Sequence, residues 1–136
     1  MDKLIIACAT DEGDQLIDRH FGDAGRYDLY QLERETVEFL RSIENTVSEE
    51  QEHADPEKAR NIGGLLKPEG VQVLVSGQFG QNIKRVRKSF VPVIVRSLEI
   101  ETALGMLQQH YEEIVRELER GEERNHVVLR KSGSNL

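Results

Sequence analysis

One imidazole stands in a loop where its residue type could ligate a metal. His20 lies in the polar run Asp18-Arg19-His20-Phe21-Gly22, where a neutral ring can offer a nitrogen lone pair to a soft or borderline metal. A lone loop histidine is more often a capping or surface group, so its position alone favours that reading. A second candidate is Gly77-Gln78-Phe79-Gly80, whose glycines let backbone amides turn toward an anion ahead of a helix. Its plain alternative is a tight turn. The loop has neither the lysine and hydroxyl of a P-loop nor the dinucleotide glycine pattern, so nucleotide binding has little support.

The remaining candidates weigh less. His53 precedes a helix-start signal and could approach the same place, but a solvated residue in an acidic connector is the simpler account. Cys8 offers a soft thiolate in principle, but it sits inside an apolar strand where it acts as a small, inert hydrophobe. Asp11, Glu12, Asp14, Asp18 and Asp23 crowd one loop without calcium-loop spacing and read as a solvated acidic face. No nucleophile with a paired base is visible, which argues against an enzyme.

The elements that must position these residues follow from pattern. Leu4 to Ala9 is an almost unbroken apolar run, expected of a strand covered on both faces. Arg26 to Leu32 and Val37 to Ile43 form a hairpin across Glu33-Arg34-Glu35. Glu44 to Ala54 is an acidic surface connection, and Asp55-Pro56 opens a helix that ends by Lys67-Pro68-Glu69-Gly70. Val71 to Val75 is a buried strand, Gln81 to Ser89 a short helix, and Val91 to Val95 a third such strand, placed at a sheet edge by Pro92. Glu99 to Arg120 reads as one long helix stopped by Gly121. Val127-Val128-Leu129 offers a last short strand, and residues 131–136 form a fraying tail after a single domain over 1–130.

Short right-handed crossovers then imply an α/β fold with a mixed five-stranded sheet, order 3-2-1-4-5, flanked by helices. In such a sheet ligands settle beyond the carboxyl ends of strands where connections diverge. That point falls between strands one and four, so the His20 loop and the Gly77 loop should face each other.

Whole-chain properties narrow the partners. With 136 residues the chain fits one domain of the usual roughly 100 to 150 residues. Hydrophobic residues at 38% and charged residues at 32% suit a folded protein with a well-solvated surface. A formal charge of -7 disfavours nucleic acid and anionic lipid. The basic cluster Lys84, Arg85, Arg87 and Lys88 reads as a solvated helix end. Nothing approaches the ~20 apolar residues of a membrane span. A single cysteine and the absence of a signal-like start point to the cytoplasm.

Asp18-Arg19-His20-Phe21-Gly22-Asp23-Ala24, His53-Ala54-Asp55-Pro56, Ser76-Gly77-Gln78-Phe79-Gly80 and Glu101-Thr102-Ala103-Leu104 together resemble the dinitrogenase iron-molybdenum cofactor biosynthesis family, over most of Met1 to Leu107. The resemblance implies a three-layer, ribonuclease H-like α/β fold and a role in nitrogen-fixation or related metallocofactor assembly. It implies an iron-sulfur or iron-molybdenum type cluster as ligand, and a cluster donor or acceptor protein as partner. His20, and with less support His53, would meet the metal; Phe21, Gly22, Gly77, Gln78 and Gly80 would complete the cofactor-binding surface. Nuclease chemistry is not implied, because no cluster of strand-borne acidic ligands is present. The expectation is a non-enzymatic carrier or scaffold, and the alternative is a cluster-free regulatory or protein-interaction domain.

Overall fold

The structure, a computed structural model, describes residues 3–46, 62–81 and 83–130. Its centre is β1 (Leu4–Thr10), in which all residues but Ile5 are buried. The run is apolar on both sides because the strand is covered on both faces, and its side chains divide by parity. Leu4, Ile6 and Cys8 enter one core, while Ala7 and Ala9 enter the other. Each fully buried Leu, Ile or Val in such a strand contributes roughly 1.5–3 kcal/mol relative to exposure.

The hairpin β2 (Arg26–Leu32) and β3 (Val37–Glu44) adds antiparallel to β1. Its turn closes where the Glu33 amide donates to the Thr36 carbonyl at 2.9 Å. The β2–β3 ladder slips by one residue, with Leu29 opposite Arg41 and Tyr30 opposite Phe39, so Leu40 is a bulge in the outer strand. On the other side of β1, β4 (Val73–Ser76) and β5 (Val91–Val95) run parallel to it. A helical run over residues 62–66 (α1) precedes β4, and α2 (Ile83–Val86) links β4 to β5. These two cover the face carrying Ala7 and Ala9, where Ile62, Leu66 and Phe90 are buried. The opposite face is covered by α3 (Ile100–Gln109) and α4 (Tyr111–Glu119), through Ala103, Leu107 and Ile114.

The α/β architecture and the order of the first five strands are as expected, and β6 (Val127–Leu129) extends the sheet to β3-β2-β1-β4-β5-β6. Pro92 therefore does not mark an edge: β5 lies between β4 and β6. The Val91 amide donates to Gln72 on the β4 side, and the Arg96 amide donates to Leu129 on the β6 side. By alternation the missing donor of Pro92 faces β6, and pairing there begins only at Val93. The long helix is also corrected. It breaks at His110, whose φ of −107° and ψ of 23° leave the helical region. Turning there keeps Leu107, Tyr111 and Ile114 in one core. The expected helix over Gln81 to Ser89 is likewise shorter, with Arg87 and Lys88 in the turn after α2. The expected helix start at Asp55-Pro56, most of the acidic connector and the tail 131–136 lie outside the described residues.

Candidate functional site

Thr10 and Ser76, both buried, end β1 and β4 side by side at the point where the chain leaves in different directions. Thr10 fixes the start of the first loop: its Oγ1 donates to the Gln15 carbonyl at 2.6 Å and accepts from the Gly13 amide at 2.9 Å. The loop then crosses to the second one. His20 and Gln78 form a parallel bridge, and the Phe21 amide donates to the Gln78 carbonyl at 2.9 Å. Gln78 Nε2 donates to Asp18 Oδ1 at 3.2 Å. The two loops that topology directs toward each other are thus hydrogen-bonded.

An aromatic pin lies beneath this contact. Phe21 stacks on Phe79 with centroids 5.2 Å apart and planes 8° apart, and on Tyr27 at 4.8 Å. The Tyr27 hydroxyl donates to the Phe21 carbonyl at 2.9 Å. Asn45 Nδ2 donates to the Gly22 and Ala24 carbonyls at 3.0 and 2.9 Å, so the end of β3 secures the same turn. Phe21 is 3% exposed and Gly77 is also buried. A Cβ on Gly77 would meet Leu98 Cδ2 at 3.1 Å.

His20 itself is exposed, and its ring rests on Gly80. A Cβ at Gly80 would lie 2.7 Å from His20 Nδ1, 2.9 Å from Cε1 and 3.0 Å from Cγ, and Gly80 has a left-handed φ of 73°. Both facts require glycine there. The covered edge carries Nδ1, leaving Nε2 as the less encumbered nitrogen for a ligand. Of the amides in the second loop, that of Ile83 already donates to the Gly80 carbonyl at 3.3 Å. With α2 a single turn, a helix dipole offers an anion little here.

The acidic face expected of this loop is in part a clamp. Asp11 accepts from Arg19 through both oxygens at 3.1 Å and from the Gly25 amide at 2.9 Å, and Arg19 also donates to the Asp23 carbonyl at 3.0 Å. The Arg19 guanidinium and the Gly25 amide hold the Asp11 carboxyl below its ordinary range. Sequence spacing gives no sign of this clamp, of the Phe21–Phe79 stack or of the Asn45 tie, because each joins loops through residues that read singly as polar or core. Cys8 is fully buried, and burial first, then the nearby Asp28 charge, pushes its thiol far up. His53 lies outside the described residues. Among the described residues no three His, Cys, Asp or Glu side chains converge to hold a metal ion.

The family model for the dinitrogenase iron-molybdenum cofactor proteins matches residues 2–110, taking in both loops. A comparison with curated proteins gives no match. The crystal structure of a Methanocaldococcus jannaschii protein named after dinitrogenase is similar with a TM-score of 0.57, 15% identity, 80% of this chain covered and 91% of that one. The solution structure of that protein gives 0.53, 11%, 82% and 92%. At such identity the likeness is one of fold.

Proposed function

Because this chain belongs to the dinitrogenase iron-molybdenum cofactor family, we propose that it is a non-enzymatic carrier or scaffold for an anionic iron-sulfur or iron-molybdenum type cluster. The observation that carries this reading is the placement of His20: an exposed imidazole held on Gly80 across the junction of the β1 and β4 loops. The cargo would be taken through His20 Nε2, with the Phe79 to Gln81 amides and the Gly22 turn facing it and with Phe21 and Gly77 fixing the surface from below. Gln78, bonded to Asp18, sets the spacing between the loops.

This donor set fits transient holding. One imidazole and a few amides bind a cluster far less tightly than a cage of four thiolates, and Asp18 nearby opposes anionic cargo. Weak ligation is what transfer to an acceptor protein requires. No described helix is long and apolar enough to cross a membrane.

Anaerobic reconstitution with iron, sulfide and molybdate tests the proposal by bound metal and visible absorption. The unaltered protein takes up cluster, His20→Ala loses it, and Gly80→Ala loses most of it by displacing the ring while keeping the imidazole. Absence of uptake by the unaltered protein, or uptake unaffected by His20→Ala, overturns the reading in favour of an interaction domain.

A further inference from the structure

Away from the His20 loops, on the face covered by α1 and α2, a cleft of about 510 Å³ opens between the two helices. Its walls include Gly63, Gly64, Lys67, Arg85, Ser89 and Phe90. The size falls within the range of small-molecule pockets. Its chemistry is divided. The floor is apolar: Phe90 is 2% exposed and its Cε2 lies 3.8 Å from where a Gly63 Cβ would be. A Gly64 Cβ would meet no atom within 4 Å, so two consecutive residues without side chains leave bare helix backbone along one wall. Glycine is a poor helix former in solvent-facing positions, and helix formation does not explain the pair.

The rim is cationic. Lys67 and Arg85 are both exposed and stand on the two sides of the cleft. Neither has a carboxylate partner among the described residues. Lys84 and Lys88, also exposed, flank Arg85, so the neighbourhood is basic on a chain whose net charge is -7. The local field therefore selects an anion while the floor selects an apolar body.

We propose that this cleft is a second ligand site, for a small planar aromatic anion. Its ring system lies along the Gly63-Gly64 backbone above Phe90, and its carboxylate, sulfonate or phosphate group is held between Lys67 and Arg85, with the Ser89 hydroxyl as a further donor. The site is separate from the His20 loops and stands whether or not those loops carry a cluster.

Titration of the isotope-labelled full chain with naphthalene-1-sulfonate, followed by amide chemical shifts, tests it. The expected result is saturable binding whose shifts centre on Gly63, Gly64, Ser89 and Phe90. The neutral 1-naphthol binds at least about tenfold more weakly, as does the anion to the Lys67→Glu, Arg85→Glu double variant. Gly64→Leu, which places a side chain in open space and favours the helix, abolishes binding with the rest of the spectrum unchanged. His20→Ala binds as the unaltered protein does. Non-saturable shifts, shifts centred on the His20 and Gly80 loops, equal affinity for 1-naphthol, or undiminished binding by Gly64→Leu would each overturn the proposal.

Discussion

At the scale of single residues, the site is organised by groups that never meet a ligand. Arg19 and the Gly25 amide favour the charged form of Asp11, so its folded-state value lies below the ordinary carboxylate one. A depressed carboxyl stabilises the fold above its unfolded-state value of about 3.9, and this contribution disappears as the pH falls through the lower folded-state value. The His20 loop is therefore expected to loosen in acid, below about pH 3.9, and not near neutrality. The Gly25 amide shift reports it: its titration midpoint lies below the ordinary carboxylate value in the unaltered protein and moves up toward it in Arg19→Ala. An unchanged midpoint in that variant would show that the clamp does not hold the carboxylate. The buried Cys8 marks the opposite case, a group whose chemistry is suppressed by its strand.

At the scale of elements, what was legible in the sequence is what pattern alone dictates. The apolar runs of β1, β4 and β5 have no stable place except inside a sheet, and their order follows from short crossovers. The facing of the His20 and Gly77 loops follows in turn from that order. What was hidden depends on contacts between distant residues. Pro92 reads as an edge signal because sequence does not tell which side its missing amide faces. The break at His110 has no proline or glycine to announce it and comes from both halves of the apolar stripe seeking one sheet face. Arg124 is another such residue. Its Nε donates to the Leu118 carbonyl at 3.2 Å and its Nη1 to the Lys88 carbonyl at 2.9 Å, joining the end of α4 to the turn after α2. Partial burial of the guanidinium pushes its pKa down. Arg124→Ala removes these bonds from carbonyls that water can reach, and the expected cost is about 0.5–1.5 kcal/mol. A denaturant midpoint equal to that of the unaltered chain would show that water replaces the bonds without loss.

At the scale of the whole molecule, the family match ends at residue 110, but the packing does not. Tyr111, Ile114, Val127 and Leu129 are buried in the same core as β1, β4 and β5. Together they account for roughly 6–12 kcal/mol of burial, comparable with the total stability of an ordinary domain, about 5–15 kcal/mol. A chain ended after His110 is expected to lose cooperative folding, whereas the full chain unfolds in one transition by circular dichroism and by calorimetry. A truncated chain with a sharp, reversible melt would show the last segment to be dispensable.

The bulge at Leu40 has a consequence for the protein as a material. The sheet ends in two edges, one of them β6 with three residues and the other β3, whose ladder is interrupted at Leu40 and whose Glu38, Arg41 and Glu44 are exposed. The bulge and these charges offset the exposed Val37 and Phe39 of the same strand, so that it and the short β6 are both poor templates for another strand. Concentrated solutions should therefore keep without fibrils until the fold itself opens, and removing Leu40 would flatten the outer strand into a surface on which copies could grow.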